Sequence, residues 1–194
     1  MVSDVSGHGI LLAPAAKVKP NSVSKVQMFD FVGEIDGTKA YPGRRWYGFP
    51  EQNQKELVNA FAQTGVQNLR TFLQNHERAM ITRHRGQSDN VCGFTDVNVQ
   101  PMDLPADGNL LWGHSGRKWG FQATHRGPCE TWCDDELVQS NPDCLGAYGA
   151  GFPAKVPIDV AKCRGKKTLR FMWLAVHFSK WQYWRKWMPD TKLQ

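Results

Sequence analysis

The stretch from Leu169 to Val176 is almost wholly apolar, and it constrains the fold more than any other segment. A run of that length is too short for a membrane span and reads as a strand covered on both faces. After a break at His177 to Lys180, Trp181 to Met188 reads as a second, aromatic-rich strand. Other short strands are expected at Ile10 to Ala13, stopped by Pro14, at Leu110 to Trp112 after the turn residues Ala106 to Asn109, and at Trp119 to Thr124. Residues 16 to 50 carry frequent Pro, Gly and Asp with little periodicity and read mainly as a long loop.

One region is helical in pattern. Between Glu51 and Met80, Leu57, Ala60, Phe61, Leu69, Phe72, Leu73 and His76 recur at helical spacing, and Gly65 weakens the run near its middle. Short strands, intervening loops and one helical insertion fit a mainly β fold, an immunoglobulin-like β-sandwich, better than an α/β fold. The 194 residues suit a single domain covering 8–194, preceded by a short leader or remnant at 1–7. That opening segment lacks the basic start and apolar core of a secretion signal and ends in small residues, as a cleavage site would.

Five cysteines, at 92, 129, 133, 144 and 163, suggest a disulfide framework and hence a secreted, extracellular protein. The Cys129-x3-Cys133 spacing could serve zinc, but no second ligand pair follows at finger-like spacing. The odd count leaves one thiol over, and connectivity cannot be read. A formal charge of +6, which becomes +7 without Asp4 and the rest of the first seven residues, favours a polyanionic partner. The basic residues are scattered and no binding motif accompanies them, so nucleic acid is not expected. No membrane partner is expected, and the chain reads as a monomer.

Chemistry gathers around histidine. If the chain is cut between Gly7 and His8, His8 offers both an α-amine, whose pKa is about 7.7–8.0, and an imidazole. One more imidazole would complete three nitrogens in a planar T, which suits copper. His125, in Thr124-His125-Arg126-Gly127-Pro128, is expected at a strand end and the start of a Cys-rich loop, where Gly-Pro turns the chain and holds the ring at the rim. His177 ends the apolar strand and is soon followed by Gln182-Tyr183-Trp184. His114 competes with His125 as the second ligand, whereas His76 and His84 sit in polar surroundings and read as solvent-exposed.

An opening His-Gly before an apolar strand, a later His-x-Gly-Pro and a C-terminal His followed by Gln and Tyr together resemble a lytic polysaccharide monooxygenase. Arg45-Trp46-Tyr47-Gly48-Phe49 resembles an aromatic segment found early in the animal members. From His8 onward the chain is most similar to the oomycete, pectin-active family, the seventeenth auxiliary-activity family. The resemblance implies a copper-dependent enzyme that cleaves glycosidic bonds oxidatively in a plant cell-wall polysaccharide, pectin (homogalacturonan), using an external electron donor. It implies copper held by His8 and His125, Tyr183 as the axial neighbour, and Gln182 and His177 as donors that orient bound oxygen or peroxide. Arg45, Trp46, Tyr47 and Arg126 are candidate substrate contacts, with Arg44 and Lys180 near motif residues in sequence. One departure stands out. Related enzymes place glutamine and tyrosine two apart, but here they are adjacent, so alternation puts either Gln182 with Trp184 or Tyr183 with Trp181 on the copper face. A non-catalytic copper- or carbohydrate-binding protein and a monooxygenase acting on cellulose or chitin are the other readings.

Overall fold

The computed structural model describes residues 9–15, 31–46, 49–76, 96 and 102–189. In chain order the elements are β1 (Ile10–Ala13), β2 (Phe31–Asp36), α1 (Gly37–Ala40), α2 (Pro50–Thr64), α3 (Leu69–His76), β3 (Asn109–Gly113), β4 (Cys129–Cys133), β5 (Glu136–Asn141), α4 (Cys144–Tyr148), β6 (Ala154–Pro157), α5 (Val160–Cys163), β7 (Thr168–Ala175) and β8 (Lys180–Pro189). The strands form two antiparallel sheets, ordered β1-β3-β6 and β2-β8-β7-β4-β5, so the fold is mainly β.

The apolar run becomes β7, the middle strand of the larger sheet, and both its faces are covered. Leu169, Phe171, Trp173 and Ala175 join Leu11, Leu110 and Trp112 of the smaller sheet in one core. Met172, Leu174 and Val176 point the other way, into a second core with Leu57 and Ala60 of α2 and Leu69, Phe72 and Leu73 of α3. The molecule is therefore layered as small sheet, large sheet and helices. Period-2 alternation along β7 feeds two cores at once, which is why no polar position interrupts the run from Phe171 to Val176.

The helical region is two helices. Pro50 opens α2, where a missing N–H costs nothing. Gly65, in the left-handed region at φ 70°, ends it by returning its N–H to the carbonyl of Phe61. The start of α3 is fixed from the sheet: the buried carboxylate of Glu130 accepts the N–H groups of Leu69 (2.7 Å) and Arg70 (3.1 Å), and the Trp132 indole N–H as well (2.9 Å).

Three expectations need correcting. The supposed loop at 16–50 contains β2 and α1, while 16–30 and 47–48 lie outside the described residues. The segment 119–124 is not a strand: apart from a bridge between Trp119 and His114 it is bends and turns. The Cys-rich segment after His125 is a strand, β4, rather than a loop. Its two cysteines lie four apart, on one face, and reach α4 and α5 as Cys129–Cys144 (Cα–Cα 5.8 Å) and Cys133–Cys163 (5.2 Å). Those disulfides engage both cysteines of the spacing that zinc could have used. Cys92 lies outside the described residues. Among the described residues no helix is long and apolar enough to cross a membrane.

Candidate functional site

The segment preceding β4 is laid against the end of β7. Val176 N–H donates to the carbonyl of Arg126 (2.8 Å) and Leu174 N–H to that of Pro128 (3.0 Å). Gly127 lies between these two contacts at φ 146°, and a Cβ there would fall 2.0 Å from the carbonyl oxygen of Leu174. Only glycine allows that approach. The His-x-Gly-Pro signal therefore marks a flat seam against β7 rather than only a turn.

The seam brings His125 to His177, two residues beyond the end of β7. The rings of His125 and His177 stack with centroids 3.8 Å apart and planes 25° from parallel. Both are nearly enclosed, at 7% and 4% exposure. The Thr124 hydroxyl lies 3.0 Å from Nδ1 of His125 and orients the ring. Burial pushes the His177 pKa down to about 4, so this imidazole is neutral at pH 7. Its Nδ1 is buried with no hydrogen-bond partner among the described residues, and the same is true of Oε1 of Gln182.

Beneath the pair lies an aromatic floor. Trp173 and Trp184 stack at 4.6 Å, and their centroids stand 6.2 and 5.9 Å from that of His125. Trp112 meets Trp173 edge-on at 5.7 Å. Gly9 backs onto that same Trp112, where a Cβ would come within 2.5 Å of the indole. The described chain thus begins, one peptide bond after His8, on the aromatic cluster that carries His125, and the residue after His8 must be glycine. His8 itself lies outside the described residues.

Register decides the question left open by the adjacent Gln182 and Tyr183. Gln182 pairs with Ala175 and Trp184 with Trp173, so both face the core that contains Trp173. Tyr183 does not join His125. It packs in the helix-side core beside Trp181, and its hydroxyl accepts a hydrogen bond from Nε of Arg185. The expected axial tyrosine is thus corrected: alternation turns it through the sheet, and Trp184 is the ring beside His125.

Of the expected substrate contacts, Trp46 is in the core and Arg126 is already engaged in ion pairs. Trp46 is 8% exposed and packs edge-on against Trp181 at 4.5 Å, so its faces belong to the core. Arg126 is held between Glu51 (2.9 Å) and Asp143, tying α2 and α4 to the segment that carries His125. Arg44 pairs with Glu56 and Gln63. Arg45 is exposed, and Tyr47 lies outside the described residues. His114 accepts the Arg117 N–H at Nδ1 (3.1 Å) and packs on Trp119, closing its own turn. His76 is half-buried, bonded to the Phe72 carbonyl, and His84 lies outside the described residues.

One residue escaped the sequence reading. Glu34, only 3% exposed, stands directly across the β2–β8 pair from Gln182, so the two side chains project to the same face. Its signal was an acid inside the short apolar segment Phe31-Val32-Gly33-Glu34-Ile35.

Among the described residues, no group of three or more His, Cys, Asp and Glu is arranged to hold a metal ion. No protein-family model matches the chain, and no similar protein is found among curated proteins.

Proposed function

We propose that the chain, when it begins at His8, is a copper-dependent lytic polysaccharide monooxygenase built on an immunoglobulin-like sandwich. It is secreted and acts on pectin. The observation that carries this reading is the convergence of His125, His177, Gln182 and Trp184 at one end of the sandwich. Gly9, the residue after His8, is seated on the same aromatic cluster. Two disulfides are compatible with an extracellular location.

The groups present suit copper in character. Neutral nitrogen donors favour it, and the amine and imidazole of His8 with the imidazole of His125 would hold it. Bound there, copper would supply the one-electron chemistry with oxygen or peroxide that opens a C–H bond beside a glycosidic link. The chain's own residues act around it. The Thr124 hydroxyl fixes the His125 ring. His177, neutral because it is buried, offers Nδ1 to a small polar molecule, and Gln182 offers Oε1 as an acceptor. Trp184 and Trp173 form an apolar wall that keeps water from that side.

A charge of +6 is compatible with a polyanionic substrate and supports pectin over a neutral polymer. The test is a chain starting at His8, given copper and a reductant on polygalacturonan. Oxidised oligosaccharides in the mass spectrum, absent without copper or reductant, are expected. If only cellulose or chitin yields them, pectin is the wrong substrate; if no polymer does, the enzyme reading fails. A second reading, copper binding without catalysis, is favoured by an indole rather than a phenol beside His125. It predicts copper uptake by calorimetry with no oxidised product.

A further inference from the structure

Phe178 is 59% exposed, yet its ring centroid lies only 4.6 Å from that of enclosed His177. Among the described residues the other large exposed apolar side chains are Phe49 and Val58. Phe49 precedes α2, and Val58 lines a cleft formed by α2, α3 and the end of β5. Phe178 heads the exposed run Phe178-Ser179-Lys180, which turns β7 into β8. That turn is anchored: the Ser179 carbonyl accepts the Gly37 N–H at 2.8 Å, and Lys180 pairs with Asp36 in register. The ring is therefore held out to water from a fixed base, beside the His125–His177 pair.

Its neighbours indicate what covers it. A single ring followed by Ser179 and Lys180 is far smaller than the apolar patches of several hundred Å² that mark protein or membrane contacts. It matches one face of one sugar ring, whose C–H groups pack on an aromatic plane. The nearby charge is mainly positive. Lys180 and, at the end of α1, Lys39 are exposed, while the Asp36 carboxylate is engaged by the Thr38 N–H (3.0 Å) and hydroxyl (2.6 Å).

We infer that Phe178 is a stacking platform for a uronic-acid residue of a polysaccharide lying across the histidine pair, with Lys180 meeting the sugar's carboxylate. This rests on the proposed function and adds the residue that seats the polymer.

The test is binding of the full, copper-free chain to polygalacturonate and to its fully methyl-esterified form, by affinity electrophoresis. Phe178→Ala weakens binding to both by about three- to tenfold, because stacking does not depend on charge, and Phe178→Trp restores it. Lys180→Gln weakens binding to the charged polymer only, and raised salt removes that difference. Val58→Ala changes neither. The inference is overturned if Phe178→Ala binds as tightly as wild type or Phe178→Trp binds no better than Phe178→Ala. It is equally overturned if Lys180→Gln treats the two polymers alike, or if wild type binds neither. A chain that binds in this pattern yet yields no oxidised product keeps the platform and removes the enzyme. Normal binding and normal oxidation by Phe178→Ala remove the platform alone.

Discussion

Replacing Gly127 with alanine puts a methyl group where the backbone leaves no room for one. Its Cβ would stand 2.0 Å from the Leu174 carbonyl oxygen and 3.1 Å from the carbon. The obstacle is the backbone of the central strand, so no side-chain rotation relieves it. Reaching an ordinary contact near 3.4 Å needs a movement of about 1.4 Å. That movement breaks the hydrogen bonds from Val176 to Arg126 and from Leu174 to Pro128. At about 1 kcal/mol each, those bonds account for roughly 2 kcal/mol, and a non-glycine residue held at φ 146° adds on the order of 2 more. The expected loss is about 4 kcal/mol, a fall in Tm on the order of 10 °C for a chain of this size. Urea unfolding followed by tryptophan fluorescence reads it directly. Gly151→Ala is the control, since a Cβ there meets nothing within 4 Å. A loss below about 1 kcal/mol at Gly127, or an equal loss at Gly151, would refute the seam as the device that fixes His125.

The remaining predictions test other parts of the framework. In the metal-free protein His177 titrates at about 4 instead of its ordinary 6.5, so the unfolded chain takes up its proton first. Stability is then full above pH 6.5 and falls toward pH 4, with about 2 kcal/mol lost by pH 5 and about 3 in all. Urea curves of wild type and His177→Gln should diverge below pH 6.5, and a constant offset down to pH 4.5 would contradict the assignment. Glu130→Ala leaves two backbone N–H groups and an indole N–H without their acceptor, a loss of about 3 kcal/mol with faster amide exchange at Leu69 and Arg70. Unchanged exchange there would mean that α3 does not depend on Glu130. Cys133 and Cys163 close a separation of 30 residues against 15 for Cys129 and Cys144. Paired serine variants should each lose about 3 kcal/mol, slightly more for the longer loop, and the reverse order in chemical denaturation would rule out loop closure as the dominant effect.

Legibility followed burial symmetry. β7 could be read because both its faces are apolar, and β8 because tryptophan dominates it. β2 could not: six residues, Phe31-Val32-Gly33-Glu34-Ile35-Asp36, include a glycine and two acids and look like a turn. Glu34 is enclosed there across from Gln182, and its one local signal was an acid inside a short apolar segment. The segment 119–124 looked like a strand from composition alone. Gly120 there leaves a Cβ only 2.3 Å from the Gly151 carbonyl, a close approach of two loops. β4 looked like a loop because cysteines suggest loops, yet its disulfides radiate from an ordered strand. His125 was legible through Gly127-Pro128. The partner ring was legible only as a choice between two faces, because strand alternation narrows the options while register selects one.

Consecutive residues of β8 look into different compartments, Trp181 and Tyr183 toward the helices and Trp184 toward the histidines. The chemistry offered to His125 is thus set by parity rather than by position. Adding one residue in the turn ahead of β8, with pairing otherwise retained, would put the Tyr183 phenol in place of the Trp184 indole at the histidines without altering a single codon for an aromatic. Length variation in the four-residue connection between β7 and β8 can then act as a substitution in the interior.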